Sequence, residues 1–301
     1  MPKPSSILAL LLAAALACLP AACRQAPSPQ PTGGAAAGRG DATRPAHAVL
    51  LLTAHLRAND LEAFARDAVP PALHRRLEDA WRRGHSRWPL DELPFDERLP
   101  QLLGSLAEAG SEAKLQAVFD RQFANAHAEI EAAATTLGLF GVQYVRHEGD
   151  FSASEREHYS QFVAAIGRWG ARAPLGDPAR ARVAIPALAA AARATGLEDE
   201  KDFAATGMAG SLRRLGGFLA VLKQVLGRYG LVLDESLGGL EATLQAQTGD
   251  TATVRMRYTL AGEPVDAVVE LERHDGRWYL SDYLRHAEAS LEPRPSPVAA
   301  P

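Results

Sequence analysis

The sequence predicts an α+β protein, with a mainly helical body followed by a four-stranded antiparallel meander packed on the helices. Two observations lead to this fold class. Over residues 45–230 apolar side chains recur at the three- and four-residue spacing of helices. After Gly230 the period changes to two, and turn residues separate the alternating segments. Only one face of each strand is apolar, so we expect the preceding helices to cover that face.

The N-terminus has the pattern of a secretory signal peptide. One positive charge, Lys3, precedes a continuous apolar run over residues 7–19, and small residues lead to Cys23. A charged start, an apolar stretch and a small-residue exit predict a signal peptide over residues 1–22. The run is shorter than the about 20 apolar residues that a transmembrane helix needs.

The stretch Leu19-Pro20-Ala21-Ala22-Cys23 resembles the lipobox of bacterial lipoproteins. The resemblance implies that Cys23 carries lipid, such as palmitate, and that the protein is anchored to a membrane. Pro20 stands where the family favours leucine, so Cys18 is a second candidate and an ordinary cleaved signal is a third interpretation. We prefer Cys23 because a polar segment follows it. In this family an aspartate after the cysteine retains the protein in the inner membrane; Arg24 therefore implies the outer membrane, facing the periplasm.

Composition divides the remaining chain into four parts. Residues 23–45 are rich in Pro, Gly, Ala and Ser and predict a flexible tether. Residues 46–230 form the helical region and residues 231–290 the β-meander region, which we expect to join in one body. Residues 291–301 contain several prolines and predict a disordered tail.

Caps and breaks divide the helical region into successive helices. Asp60, Ser152 followed by Glu155, and Asp177 before Pro178 each mark a helix start, and Gly196 marks an end. The first predicted helix spans residues 47–58, and a short helical turn follows Asp60. A helix after Pro71 buries Leu73, Leu77, Ala80 and Trp81, and an irregular stretch over 87–100 leads to a short helix that ends at Gly110. One long helix is predicted from Ser111 to Gly138, another after Ser152, and another after Asp177, which Pro186 should kink or break.

The last predicted helix carries a narrow apolar seam over residues 208–229. Its members are spaced alternately by four and three residues: Met208, Leu212, Leu215, Leu219, Leu222, Leu226 and Tyr229. The spacing permits coiled-coil pairing but covers only about three heptads, so it favours packing within one domain. We expect this seam and the sheet to cover each other, and Gly216-Gly217 to permit close helix packing.

The four strands are predicted at residues 240–246, 251–260, 265–271 and 278–280, each with one apolar face. The stretch Asp275-Gly276-Arg277-Trp278-Tyr279-Leu280-Ser281-Asp282 resembles the end of exported lipoproteins related to nuclear transport factor two. The resemblance covers about the last 50 residues and implies a small α+β cone. The long helical region departs from that compact family, so we do not extend the cone to the whole chain.

Charge and cysteine content exclude several classes of function. The net charge is −4 and the chain has no basic tract, which argues against nucleic-acid binding. Both cysteines lie in the leader region, so the body has neither disulfides nor cysteine metal ligands. One helix face is basic, which is typical either of contact with membrane phosphates or of a solvated surface. It is formed by Arg75, Arg76, Arg82, Arg83 and Arg87.

Motifs for catalysis and metal binding are incomplete, and we predict no catalytic residue, cofactor or metal. His147-Glu148 begins a zinc-hydrolase pattern, but Phe151 occupies the place of the second histidine. Glu155 and His158 give one Glu-x-x-His pair where a di-iron bundle needs two, and we interpret them as a hydrated helix start. Trp88, in the irregular stretch, is the tryptophan that we expect to be available for ligand contact.

Two hypotheses for the function follow. The first is a lipid-anchored, non-enzymatic envelope lipoprotein that binds a partner or supports assembly. The second is a periplasm-facing hydrolase whose site is assembled from scattered residues such as Glu148, Asp150 and His158. An exposed apolar patch would favour the first, and a solvent-lined cleft with convergent ionisable groups would favour the second.

Overall fold

A computed structural model describes residues 42–92 and 98–292. The predicted signal peptide, Cys18, Cys23, Arg24 and most of the predicted tether and tail lie outside the described residues. Within them the chain is α+β, as predicted. The helices are α1 (Pro45–Arg57), α2 (Leu61–Asp67), α3 (Pro71–Arg82), α4 (Leu99–Ala107), α5 (Ser111–Gln122), α6 (His127–His147), α7 (Ala153–Arg172), α8 (Pro178–Thr195), α9 (Glu200–Arg228), α10 (Leu233–Gly238) and α11 (Ser281–Ala289), with a short 3-10 turn at Leu90–Glu92.

The predicted caps begin several of these helices. The Asp60 carboxylate accepts a hydrogen bond from the backbone N–H of Ala63 at 2.9 Å. Ser152 and Glu155 form a reciprocal capping box at the start of α7. Asp177 caps α8, and Gly196 ends that helix in the left-handed conformation. Such caps satisfy backbone groups that a helix end would otherwise leave unpaired.

The single helix predicted from Ser111 to Gly138 is wrong, because the chain breaks between α5 and α6. Asn125 adopts a positive φ of 62°, and its N–H donates to the carbonyl of Gly176 at 2.9 Å. This tertiary hydrogen bond replaces a helical one. The helix then continues past Gly138 to His147, and Gly138 lies at a close crossing with Gly167 of α7. A Cβ at Gly138 would lie 3.0 Å from the Gly167 Cα.

Pro186 does not break α8, so of the kink or break that the sequence predicts, the break is wrong. The helix runs without interruption from Pro178 to Thr195. Ala184 and Ala189 on either side of the proline are buried. Tertiary packing of α8 therefore outweighs the local cost of the lost hydrogen bond.

The sheet is the predicted antiparallel meander, in the order β1-β2-β3-β4. Its strands are β1 (Glu241–Thr248), β2 (Thr251–Leu260), β3 (Glu263–His274) and β4 (Arg277–Leu280). Alternate residues of β2 and β3 are buried, as the period of two predicts. The buried face predicted for β1 is wrong: Leu244 is 44% exposed. The register shifts between Leu244 and Ala246, so the edge strand turns out of the core.

Helices from several parts of the chain cover the sheet. Ala48 and Val49 of α1 share a core cluster with Val254, Val269 and Trp278. The end of the predicted seam, from Leu222 to Tyr229, shares another cluster with Tyr258, Leu260 and Val265. The first half of the seam packs instead among α3 and the segment before α4. The seam and the sheet therefore cover each other only in part, and α11, which the sequence did not predict, adds Leu284 and Ala287 to the core.

The folded body begins earlier than predicted. Ala42, in the range assigned to the tether, is buried. Its carbonyl accepts a hydrogen bond from the backbone N–H of Trp278 at 2.8 Å, at the edge of β4. Residues 42–44 therefore belong with the sheet rather than with the tether. Among the described helices none is long and apolar enough to cross a membrane.

Candidate functional site

The three residues proposed for a hydrolase site do not meet. His158 is half-buried, and its Nε2 lies 2.8 Å from the Tyr258 hydroxyl; the loss of solvent around it lowers the pKa of His158 to about 4. Glu148 and Asp150 lie at the surface, in and beside the turn before α7. Within residues 42–92 and 98–292 no group of three or more His, Cys, Asp or Glu side chains is arranged to hold a metal ion.

A different set of ionisable residues converges, which we call the His286 cluster: Glu92, Glu155 and His286. His286 of α11 lies between the two glutamates. Its Nδ1 is 2.5 Å from Glu92 Oε2, and its Nε2 is 3.2 Å from Glu155 Oε1. Glu155 is only 3% exposed, so its interpretation as part of a hydrated helix start is wrong. The capping box brings its carboxylate back against the fold.

The surroundings of the His286 cluster hold it in place. The second oxygen of Glu155 accepts hydrogen bonds from the Ser152 N–H and from the Arg285 guanidinium. The indole N–H of Trp88 donates to Glu92 Oε1 at 3.0 Å. Trp88 is fully buried, so the expectation that it is available for ligand contact is wrong.

The surroundings of the His286 cluster favour the protonated forms of His286 and Glu155. Burial alone would lower the pKa of His286, but the hydrogen bond and charge of Glu92, together with the charge of Glu155, raise it above its ordinary value. Burial raises the pKa of Glu155, which outweighs the lowering by Ser152 and His286. Asp282 beside them adds a third carboxylate next to Arg285. Both imidazole nitrogens face carboxylates, although the buried Glu155 Oε1 has no hydrogen-bond partner. The cluster joins α7, α11 and the segment before residue 93.

The second feature is an exposed apolar surface on α6, which we call the apolar ridge: Leu139, Phe140 and Tyr144. These side chains are 67%, 67% and 47% exposed, the highest values among the large hydrophobic residues described. The inner face of α6 packs on α7 through Gly138 and Gly141, where added Cβ atoms would meet Gly167 and Val163. The ridge therefore points away from the body.

The local sequence of the apolar ridge is unusual for a helix with one face in water. Residues 132–145 contain no charged side chain, over about four turns. One end is fixed by an edge-to-face contact between Tyr144 and Phe151, with ring centroids 6.4 Å apart. The predicted helix ended at Gly138, before these side chains, so the ridge was not predicted. The uncharged run was the signal that could have revealed it.

The basic face predicted on α3 is partly neutralised. Arg76 pairs with Glu288 at 2.9 Å, Arg82 with Asp79 at 2.8 Å, and Arg87 with Glu200 at 2.6 Å. Arg75 and Arg83 are exposed.

Comparisons with known proteins add no relative from which a role could be transferred. No protein-family model, curated protein or solved structure matches the chain. The resemblances to the lipobox and to the end of nuclear-transport-factor-two-like lipoproteins remain predictions.

Proposed function

We propose that the chain is an exported lipoprotein, anchored through Cys23 to the outer membrane, whose body binds an envelope protein through the apolar ridge. The leader and the small residues before Cys23 support the anchor. The observation that carries the binding role is the ridge itself. Exposed apolar patches on soluble bodies mark interaction sites, and aromatic side chains are frequent at the energetic centres of interfaces.

The charges on α6 favour a protein over a lipid surface as the occupant of the apolar ridge. Helices that lie on membranes carry Lys and Arg on the polar face. Apart from histidines, α6 contains two glutamates, Glu129 and Glu131, and one arginine, Arg146. An anionic lipid surface gains little from this charge pattern. A protein that presents an apolar groove gains contact with two aromatic rings and a leucine.

The alternative, a periplasm-facing hydrolase, receives less support. Its proposed residues are separated, and in the His286 cluster that does converge each imidazole nitrogen lies beside a carboxylate. Two surface grooves of the described residues, one beside β3 and one between α3 and α9, are lined by other side chains. A general base must reach the proton that it removes, and neither groove is lined by the residues of this cluster.

The anchor is tested by changing each cysteine in turn. Cys23→Ser should move the protein from the membrane fraction to the soluble periplasmic fraction, because the lipid that holds it is lost. Cys18→Ser is the matched control and should leave the protein in the outer membrane. Fractionation followed by immunoblotting measures both. A Cys23→Ser protein that still sediments with membranes, together with a soluble Cys18→Ser protein, would assign the lipid to Cys18.

The ridge is tested with a photo-crosslinking amino acid at position 140 in intact cells. The matched control is position 183, because Val183 is also an exposed apolar residue, on α8. We expect one discrete protein adduct at 140 and none at 183. Phe140→Asp should weaken binding of that purified partner by roughly tenfold or more, since it removes a central anchor, whereas Val183→Asp should not. Adducts only with lipid, or only with a second copy, would contradict the proposal.

A further inference from the structure

An open groove of about 390 Å³ lies between the end of α3 and the start of α9. It is distant in sequence from the apolar ridge, and nothing in the proposed function uses it. Most of its charged lining is basic. The residues around it are Arg82, Arg83, Gly84, Ser86, Arg87, Glu200, Lys201 and Ala204. We call it the basic groove.

The basic groove has a surplus of positive charge. Its one carboxylate, Glu200, is paired with Arg87, and Arg82 is paired with Asp79. Arg83 and Lys201 form no ion pair with the carboxylates that the structure describes, and both are exposed. Two cations therefore face the solvent beside a third guanidinium, in a chain whose net charge is −4. Neighbouring like charges repel, so an anion between them is favoured.

Arg87 is held in a fixed orientation. Its guanidinium lies over the Trp81 ring, 5.1 Å from the centroid. Nη1 donates to the carbonyls of Trp81 and Ser86 at 2.9 and 3.0 Å. The remaining edge, Nε and Nη2, meets one oxygen of Glu200 at 3.1 and 2.6 Å. That edge is the part of a guanidinium that binds carboxylates or phosphates with two hydrogen bonds.

Glu200 occupies this edge without being held by the fold. Its side chain is 59% exposed, whereas that of Arg87 is 12% exposed. An exposed carboxylate can swing into water and leave the fixed guanidinium to another anion. A phosphate group offers more acceptor oxygens and more charge than one carboxylate, and Arg83 and Lys201 line the same groove as Arg87.

We propose that the basic groove binds the phosphate group of an anionic ligand. The same chemistry is present in a phospholipid headgroup and in a soluble phosphorylated molecule. The proposal does not depend on the apolar ridge or on the identity of a protein partner. It gives the basic face of α3, which the sequence left undecided between membrane contact and a solvated surface, a specific binding role.

The test uses the full chain with Cys23→Ser, so that no lipid anchor inserts into vesicles. One arm titrates inorganic pyrophosphate by calorimetry. The other measures sedimentation with phosphatidylcholine vesicles with and without phosphatidylglycerol. Binding to pyrophosphate points to a soluble ligand, and binding only to the anionic vesicles points to a headgroup; either result supports the proposal. Binding in neither arm overturns it.

Charge variants separate a site from general attraction. Arg83→Glu with Lys201→Glu should weaken binding by roughly tenfold or more, because two charge-assisted hydrogen bonds are lost. Arg121→Glu with Arg228→Glu makes the same change in net charge elsewhere and should have little effect. Glu200→Gln releases Arg87 and should strengthen binding more than Glu131→Gln. Equal effects within each matched pair would overturn the proposal. All of the altered residues are exposed, and circular dichroism confirms that each variant is folded.

Discussion

Two adjacent glycines in α9 should respond in opposite ways to the same substitution. Gly216 is buried, and a Cβ added to it would lie 2.3 Å from the carbonyl oxygen of Asn59, in the turn between α1 and α2. Gly217 is exposed, and a Cβ there would meet nothing within 4 Å. Both glycines lie inside the helix. The pair therefore isolates the cost of the close approach from the helix preference of alanine.

The expected magnitudes follow from these distances. Alanine is favoured over glycine inside a helix by about 1 kcal/mol, so Gly217→Ala should raise the free energy of unfolding by about that amount. At Gly216 the same gain is opposed by a contact about 1 Å too short between two backbones, and overpacking costs about 1–3 kcal/mol. Asn59 is held at a φ of 60° and cannot move alone. We expect Gly216→Ala to lower the free energy of unfolding by up to about 2 kcal/mol, after the gain of about 1 kcal/mol at that site is subtracted.

Urea denaturation followed by circular dichroism measures both variants against the parent protein. The midpoint should rise for Gly217→Ala and fall for Gly216→Ala, while the slope with denaturant stays the same. An unchanged slope shows that the substitution altered stability rather than the surface exposed on unfolding. If Gly216→Ala is as stable as Gly217→Ala, the close contact between α9 and the turn at Asn59 does not exist in solution.

Two further predictions concern the His286 cluster and the start of the body. The pKa of His286 is raised in the folded protein, so its stabilising effect is complete below its unfolded pKa of about 6.5 and is lost as pH rises through the folded value. In urea titrations His286→Gln should therefore lose more stability at about pH 6 than at about pH 9. Equal losses at the two pH values would contradict the raised pKa. A chain that begins at Pro45 should unfold cooperatively, with a free energy of unfolding about 1 kcal/mol lower than that of a chain that begins at Gly40, because the Ala42–Trp278 hydrogen bond is absent. Equal urea midpoints for the two chains would show that residues 42–44 do not stabilise the body.

Features set by local sequence were predicted well. The stripe of α3 and the capping box of α7 need only residues within a few positions of each other. The alternation of β2 and β3 likewise records which face of each strand is buried. These elements were confirmed because the interaction that defines each one is short in sequence.

Features set by distant contacts were missed. Asn125 ends a helix because of a carbonyl at Gly176, and no pattern around residue 125 shows this. Glu92 and His286 are 194 positions apart, so their pairing has no spacing to recognise. Lys223 is buried, and its ammonium meets two backbone carbonyls and Asp234. Within the apolar seam it resembles an ordinary solvent-facing lysine.

The binding strength available from the apolar ridge gives a physical reason for combining it with the proposed anchor. Burial of a large apolar side chain contributes about 1.5–3 kcal/mol, so the exposed parts of Leu139, Phe140 and Tyr144 offer about 3–5 kcal/mol before the cost of association. A free energy of about 4 kcal/mol corresponds to a Kd of about 1 mM. The three side chains alone therefore support only weak binding in solution. Attachment through Cys23 would confine the protein to the surface where an envelope partner lies, and confinement raises the effective concentration without adding a contact. On this reasoning Cys23→Ser should reduce crosslinking at position 140 in cells while leaving the affinity of the purified body unchanged.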